Sequence, residues 1–161
     1  MALRQVVQRA LDVARPQLEQ RSVRITMTDE AITDAVVADG AQLEAAVLNL
    51  LLNATEATPS GGTVLVSIGH GDSDAGRVRV RIRDGGQGVA AELRERIFQP
   101  FFTTKPGGTG LGLALAQRAA EENGGSLTLS ADVQGACVSD ASGAEFVLEL
   151  PAATPVTARS S

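Results

Sequence analysis

The sequence predicts an α/β fold, a two-layer sandwich in which helices cover one face of a mixed, mainly antiparallel sheet. Three patterns support this prediction. Short segments alternate apolar and polar residues, longer segments carry apolar residues at helical spacing, and the strands fall mostly into adjacent pairs with helices between them. The 161 residues fit one domain, predicted at residues 1–151, with an unstructured tail at residues 152–161.

The first elements are a helix over residues 2–20 and a strand over residues 23–28, where apolar and polar side chains alternate. Pro16 is expected to kink or split the helix, because proline removes a backbone donor and restricts the residue before it. A short second strand is predicted at residues 35–38.

Asp39 stands where the N-cap of the next helix belongs. That helix is predicted over residues 41–57, from a clear amphipathic stripe of leucine, valine and alanine. Two alternating strands, residues 63–68 and 77–84, follow and form a hairpin. The arginines at every second position of the second strand are interpreted as its solvated face, offset by acidic neighbours such as Glu145 and Glu149.

The second half of the domain begins with a short helix at residues 90–97. A longer helix at residues 110–123 is stopped by a pair of glycines. Strands at residues 126–131 and 145–150 close the sheet as another antiparallel pair. The connection between them, residues 132–144, is long and polar, and the sequence assigns it no role.

Composition excludes several classes of protein. The net charge of −5 argues against nucleic-acid binding, which needs a basic surface. No apolar run is long enough to insert into a membrane, and the only cysteine, Cys137, allows no internal disulfide. A cytoplasmic location is therefore expected, and the cytoplasmic portion of a membrane-bound protein would give the same sequence pattern. Cys137 has no basic neighbour, and the single histidine, His70, has no second histidine with which to form a metal cluster, so neither is assigned chemistry.

Two asparagines mark the helix at residues 41–57. Asn49 and Asn53 lie on one rim of its apolar stripe, with Glu56 near them. They are either a solvated helix flank or a polar site at the margin of the core. The second interpretation is favoured, since amides surrounded by leucine need partners, and a hydrated Mg²⁺ with phosphates would accept the amide oxygen as a ligand.

The segment DGGQG follows the second hairpin strand. Asp84 ends that strand, and Gly86 and Gly88 follow within the turn. The segment is either an ordinary turn or a site where the carboxylate accepts a hydrogen bond from an exocyclic amine while the glycines allow close approach of the backbone.

The segment GGTGLGL is a stronger signal. Gly108, Gly110 and Gly112 alternate just before a helix, whose N-terminal amides attract phosphate. A P-loop is excluded because Leu113, rather than lysine, follows the last glycine. A dinucleotide fingerprint is excluded because the glycines do not follow a strand. Lys105 either reaches phosphate oxygens or is a solvated loop charge.

Together these segments resemble the ATP-binding catalytic domain of sensor histidine kinases, which shares the Bergerat fold with gyrase, mismatch-repair and chaperone ATPases. LNLLLNATEA resembles the N box, DGGQG the first glycine box, FQPFFTTK the F box and GGTGLGL the second glycine box. Their order and spacing match, and the resemblance covers residues 2–151. The run FQPFFTTKPGGTGLGL is similar to the nitrogen-regulation branch of these kinases.

The resemblance implies ATP and Mg²⁺ as cofactors and gives each segment a role. Asn53 would coordinate Mg²⁺ and Asn49 would lie beside the phosphates, both as catalytic residues. Asp84 would accept the adenine amine, with Gly86 and Gly88 shaping the base site. The phosphate tail would be held by Thr104, Lys105, Gly108, Thr109, Gly110, Leu111 and Gly112. The loop that links the two glycine segments would act as a lid over the nucleotide, anchored by Phe101 and Phe102.

Two departures from the superfamily pattern limit the reaction. Hydrolysing relatives carry a glutamate as general base where this chain has Asn49, so hydrolysis should be slow. The phosphoacceptor histidine of these kinases lies on a preceding helical hairpin that this sequence does not contain. The implied partners are therefore a His-containing dimerisation domain, in the same protein or in another, and a response regulator receiver domain. The alternatives are an ATP hydrolase or switch, an anti-sigma-type Ser/Thr kinase and a non-enzymatic nucleotide-sensing module.

Overall fold

A computed structural model describes residues 2–31, 35–70, 76–86, 88–89, 91–102, 110–130 and 143–153. Three helices, α1 (Leu3–Gln20), α2 (Gly40–Ala57) and α3 (Gly112–Glu122), pack beside one another against a five-stranded sheet. Its strands are β1 (Arg24–Asp29), β2 (Thr63–His70), β3 (Arg77–Arg83), β4 (Ser126–Leu129) and β5 (Glu145–Pro151).

The sheet has the order β1-β2-β3-β5-β4. β2, β3, β5 and β4 pair antiparallel, whereas β1 pairs parallel to β2, because α2 lies between them in the chain and carries it back. The mixed, mainly antiparallel sheet that the sequence predicts is therefore confirmed.

The core lies between the sheet and the helices. Alternate side chains of the central strands, such as Val80, Ile82 and Leu148, are fully buried there. The opposite face carries the arginines of β3, of which Arg79 and Arg83 pair with glutamates of β5 across the strand register, at 3.4 and 3.8 Å respectively. In the described part of the chain, each helix is too short or too polar to cross a membrane.

Two local predictions are wrong, and a third is wrong in part: the sequence predicts a kink or a split of the first helix at Pro16, and the split does not occur. Residues 35–38 form no strand, because α2 begins directly after Asp39 and leaves only Ala35 and Val36 to make isolated bridges. α1 is not split at Pro16, since buried residues on both sides of the proline hold the helix against the core. The predicted helix at residues 90–97 is a single 3₁₀ turn, Ala91–Leu93, followed by hydrogen-bonded turns, which costs less than nucleating a short α-helix.

Candidate functional site

α2 is the helix around which the candidate site is built. The Asp39 carboxylate caps its N-terminus by accepting a hydrogen bond from the Gln42 amide at 3.1 Å, as the sequence predicts. Asn49 and Asn53 are half-buried on this helix, while the leucines around them fill the core. The two asparagines lie about 6 Å apart along the helix axis, since each residue rises about 1.5 Å.

Three carbonyls in the last turn of α2 accept hydrogen bonds. Arg21, just after α1, donates from its guanidinium to the carbonyls of Thr55 and Glu56 at 3.2 and 3.1 Å. The amide of Thr58 donates to the Ala54 carbonyl at 3.1 Å. The positive charge of Arg21 also interacts favourably with the negative end of the helix dipole. The C-terminal end of α2 is therefore fixed in place.

The turn that begins at Asp84 is buried and hydrogen-bonded. Asp84 is only 3% exposed, and its Oδ1 accepts hydrogen bonds from the amides of Gly86 at 2.9 Å and Ala144 at 3.1 Å. The main chain of Asp84 also pairs with Ala144 and Gly143, at 3.0 and 3.2 Å. A side chain on Gly143 would overlap the Asp84 carboxylate, so this glycine is required for the close approach.

The same turn packs directly on the end of α2. The amide of Gly85 donates to the Thr58 hydroxyl at 3.0 Å. A Cβ on Gly86 would overlap the Ala57 carbonyl oxygen and lie 3.2 Å from its carbon. The first glycine segment is thus held against α2 by both a hydrogen bond and backbone contact.

The second glycine segment reaches α2 one turn before Asn53. Gly112 begins α3, and a Cβ on it would lie 3.5 Å from the Asn49 Oδ1. The N-cap residue of α3, Leu111, has no side-chain oxygen with which to cap the first amides. Gly110 and Phe101 both have positive φ, at +74° and +70°, and the Phe101 amide donates to the Gly110 carbonyl at 2.9 Å.

Both glycine segments therefore contact the same side of α2. Asn49 lies beside Gly112, Asn53 lies one turn further on, and Ala57 meets Gly86 after another turn. An amide-bearing surface with a buried carboxylate at one end and helix N-terminal amides at the other suits a ligand with a base at one end and phosphates at the other.

Comparison with known proteins identifies the fold family. Residues 38–154 match the family described as histidine kinase-, DNA gyrase B-, and HSP90-like ATPase. The chain belongs to this ATPase family. The match covers more than half of the sequence and contains both glycine segments and α2.

Within the family, the chain is similar to sensor histidine kinases. It is 36% identical over 126 residues to the sensor histidine kinase ZraS of Klebsiella oxytoca, covering 78% of this chain and 27% of that protein. To ZraS of Escherichia coli (strain K12) it is 32% identical over 149 residues, covering 92% and 30%. The chain thus spans less than a third of the length of these relatives.

Solved structures of similar proteins support the same family. The catalytic domain of histidine kinase ThkA superposes with a TM-score of 0.79 at 26% identity, covering 95% of this chain and 94% of that one. The mycobacterial sensor histidine kinase MprB gives 0.79 at 28% identity, with coverage of 95% and 96%. The predicted fold class and the resemblance to histidine kinase catalytic domains are both confirmed.

Other residues of the segments that resemble this ATPase family have contacts apart from those with α2. Gly88 has a φ of +82° and is exposed beside the first glycine turn. Phe98 packs edge-on against Phe146 with ring centroids 6.0 Å apart, and the Arg96 guanidinium lies 4.8 Å from the Phe102 ring centroid. Outside the described residues fall Thr104, Lys105, Gly108, Thr109, Cys137 and nearly all of the connection at residues 132–144.

Four residues of the site were missed by sequence reasoning: Arg21, Thr58, Gly143 and Ala144. Their contacts bridge segments that are far apart in the chain, up to 60 residues in the case of Ala144 and Asp84. Thr58 gives one weak signal, because a threonine at a helix end can hydrogen-bond the backbone. For Gly143 and Ala144 the sequence gives no signal, because their contacts with Asp84 can be seen only when the order of the strands in the sheet is known.

Proposed function

We propose that this chain binds ATP with Mg²⁺ and supplies the γ-phosphate to a histidine on a separate dimerisation and phosphoacceptor domain, from which it passes to the receiver domain of a response regulator. The observation that carries the proposal is the side of α2 described above, along which Asn49, Asn53 and the two glycine segments meet. The names of the relatives, sensor histidine kinases, support the choice of acceptor. We place the activity in the cytoplasm, where ATP is available.

The residues fit a nucleotide. Asp84 presents a carboxylate fixed by two backbone amides, which suits an acceptor for the adenine amine. The amide oxygen of Asn53 is a hard ligand that suits Mg²⁺, and the first-turn amides of α3 beside Asn49 suit phosphate oxygens. A similar structure, full-length ShkA, was solved in complex with AMPPNP, and it superposes with a TM-score of 0.76 at 29% identity.

The rest of the assignment follows the resemblance. Gly86 and Gly88 shape the base site, and Asn49 and Asn53 are the catalytic pair. Bound Mg²⁺ would neutralise charge on the phosphates. The phosphate tail would contact Thr104, Lys105, Gly108, Thr109, Gly110, Leu111 and Gly112.

Asn49 directs the reaction towards transfer rather than hydrolysis. An amide side chain cannot take a proton from water, so water beside the γ-phosphate lacks a general base. The imidazole nitrogen of an acceptor histidine is itself nucleophilic and needs no such base. It would form the new P–N bond while the bond to the leaving ADP oxygen breaks, and the other ring nitrogen would then release its proton to water.

The proposal is tested by adding a helical hairpin that carries the phosphoacceptor histidine of a ZraS-type kinase to this domain with ATP labelled at the γ-phosphate. We expect Mg²⁺-dependent, acid-labile label on the hairpin, and none on a matched hairpin in which glutamine replaces that histidine. Calorimetry of the domain alone should show ATP binding.

Each other outcome selects a different function. Acid-stable label on serine or threonine of an added protein would indicate an anti-sigma-type kinase. Rapid phosphate release without any acceptor would indicate a hydrolase or switch. ATP binding without transfer or release would indicate a nucleotide sensor, and no binding heat would overturn the proposal entirely.

A further inference from the structure

Thr58 is the residue at which α2 meets the first glycine turn. It is 1% exposed, and its hydroxyl makes two hydrogen bonds at once. The hydroxyl donates to the Ala54 carbonyl at 2.8 Å and accepts from the Gly85 amide at 3.0 Å. One oxygen atom therefore connects the last turn of the helix to the residue that follows Asp84.

The connection bears directly on where the Asp84 carboxylate lies. Gly85 is the next residue, and the Gly86 amide after it donates to the Asp84 Oδ1 at 2.9 Å. The turn can shift away from α2 only if the Gly85 amide gives up the Thr58 oxygen. Asn53 lies on α2 itself, so the spacing between the carboxylate and Asn53 depends on this contact.

We propose that Thr58 is a positioning residue for the nucleotide base, an inference that rests on the proposed function. Its hydroxyl keeps the Asp84 turn at a fixed distance from Asn53. At this distance the site can hold the base and the phosphates of one nucleotide at the same time. Thr58 itself does not touch the nucleotide. Without the hydroxyl, the half-buried Gly85 amide loses its partner and the turn moves to find another.

The chain offers a matched control in Thr55. Thr55 is also buried, at 0% exposure, and lies on the same helix. Its hydroxyl donates to the Leu51 carbonyl at 2.7 Å, the same bond to the fourth preceding residue that Thr58 makes. Thr55 lies three residues, nearly one helical turn, before Thr58, whose hydroxyl accepts from the Gly85 amide. Thr55→Val therefore removes an equivalent helix hydrogen bond and leaves the glycine turn alone.

The experiment compares three variants of the whole chain: Thr58→Val, which keeps shape without the hydroxyl; Thr58→Ser, which keeps the hydroxyl; and Thr55→Val. We measure the ATP dissociation constant by calorimetry, thermal unfolding without nucleotide, and the hydrogen-exchange rate of the Gly85 amide by NMR. Thr58→Val should weaken ATP binding roughly tenfold, as expected for one lost hydrogen bond, and should speed Gly85 exchange.

Thr58→Ser should restore both ATP binding and Gly85 protection to within about twofold of the wild type. Thr55→Val should lower the unfolding temperature about as much as Thr58→Val, with ATP binding and Gly85 exchange unchanged. Equal loss of ATP binding in the two valine variants would overturn the proposal, as would wild-type affinity in Thr58→Val. Failure of the proposed ATP binding looks different, because the wild type would then bind no ATP while the Gly85 exchange rates still report the contact. Failure of the proposed phosphotransfer alone would leave these ATP-binding measurements unchanged.

Discussion

The two glycine segments are held in very different ways. The first, at Asp84–Gly86, is buried at Asp84 and half-buried at the two glycines. Its Gly85 amide donates to the Thr58 hydroxyl, its Gly86 amide donates to the Asp84 carboxylate, and that carboxylate also accepts from the Ala144 amide. The second, at Gly110–Gly112, is half-exposed, and its backbone pairs with Phe101, a residue that is itself in the left-handed region and 75% exposed.

The difference extends along α3. Its far end is tied to the start of α2, where Asn123 accepts from the Asp39 amide at 3.0 Å and donates to Gln42 at 2.9 Å. Its near end, which carries Gly112, has no side-chain cap from Leu111. Under the proposed function, this contrast would mean that the base end of the site is built in advance and that the phosphate end is completed when the nucleotide binds. Four predictions test this contrast.

The largest effect is expected at the preformed end. Asp84→Asn keeps an oxygen for the amides of Gly86 and Ala144 but replaces a charged acceptor with a group that can turn a donor towards the adenine amine. ATP affinity should fall about a hundredfold, since hydrogen bonds to charged groups are worth about 1.5–3 kcal/mol. Calorimetry measures the affinity, and thermal unfolding verifies that the variant folds. Retention of ATP binding within threefold would show that Asp84 does not hold the base.

Alanine at the two glycine segments should give opposite effects on stability. Gly86→Ala places a methyl group against the Ala57 carbonyl and should lower the free energy of unfolding by about 1–3 kcal/mol. Gly112→Ala meets only an ordinary contact with Asn49 and should keep or raise it by up to about 1 kcal/mol, since alanine favours helix.

The Gly112→Ala variant should also bind ATP differently from the wild type. Gly112→Ala remains stable but should weaken ATP binding several-fold, because its methyl group fills space beside Asn49. Urea denaturation and calorimetry on both variants give the two quantities. A destabilised Gly112→Ala, or an undisturbed Gly86→Ala, would remove the contrast between the segments.

Asn53 lies on α2 between the two glycine segments, and its substitution tests the role of Mg²⁺ in ATP binding. In Asn53→Ala, ATP binding should become nearly independent of Mg²⁺, with a loss of about tenfold at saturating Mg²⁺, comparable to one lost ligand contact. Titration of ATP with and without Mg²⁺ measures this dependence. Glu56→Gln, an exposed change on the same helix turn, serves as the control and should bind as the wild type does.

The smallest effect is expected at the tied end of α3. Hydrogen bonds from Arg118, first, and from Gln42 hold the pKa of Glu122 below its ordinary value. A lowered pKa means that the carboxylate stabilises the fold above its ordinary pKa and loses that effect as the pH falls through the lower value. Glu122→Gln should therefore be slightly less stable than the wild type near pH 7 and equal to it in strong acid, with ATP binding unchanged. Urea denaturation at both pH values checks the sign.

Local periodicity predicted most of the fold. The stripe of α2, the Asp39 cap and the alternation in β2, β3 and β5 each depend on residues within one element, where spacing determines burial. The isolated bridges of Ala35 and Val36 and the parallel pairing of β1 depend on which segments meet, which no local pattern records.

The same limit applies to the candidate site. Asn49, Asn53 and Asp84 were found because a polar residue next to an apolar run is conspicuous in the sequence. Gly143 and Thr58 were missed because their importance comes from partners distant in sequence: Gly143 matters only once β5 brings it onto Asp84, and the hydroxyl of Thr58 acts on Gly85. Sequence identified the groups with distinctive chemistry, whereas the groups that position them became visible only with the three-dimensional packing.

The position of β5 has a consequence for how the chain folds. β5, the last strand in the part of the chain that the structure describes, lies inside the sheet and pairs with β3 on one side and β4 on the other. A nascent chain that has not yet released Glu145–Pro151 from the ribosome can form the β2–β3 hairpin but has nothing to which β4 can attach. Completion of the sheet must then wait for contacts that are distant in sequence, which slows folding compared with local pairing.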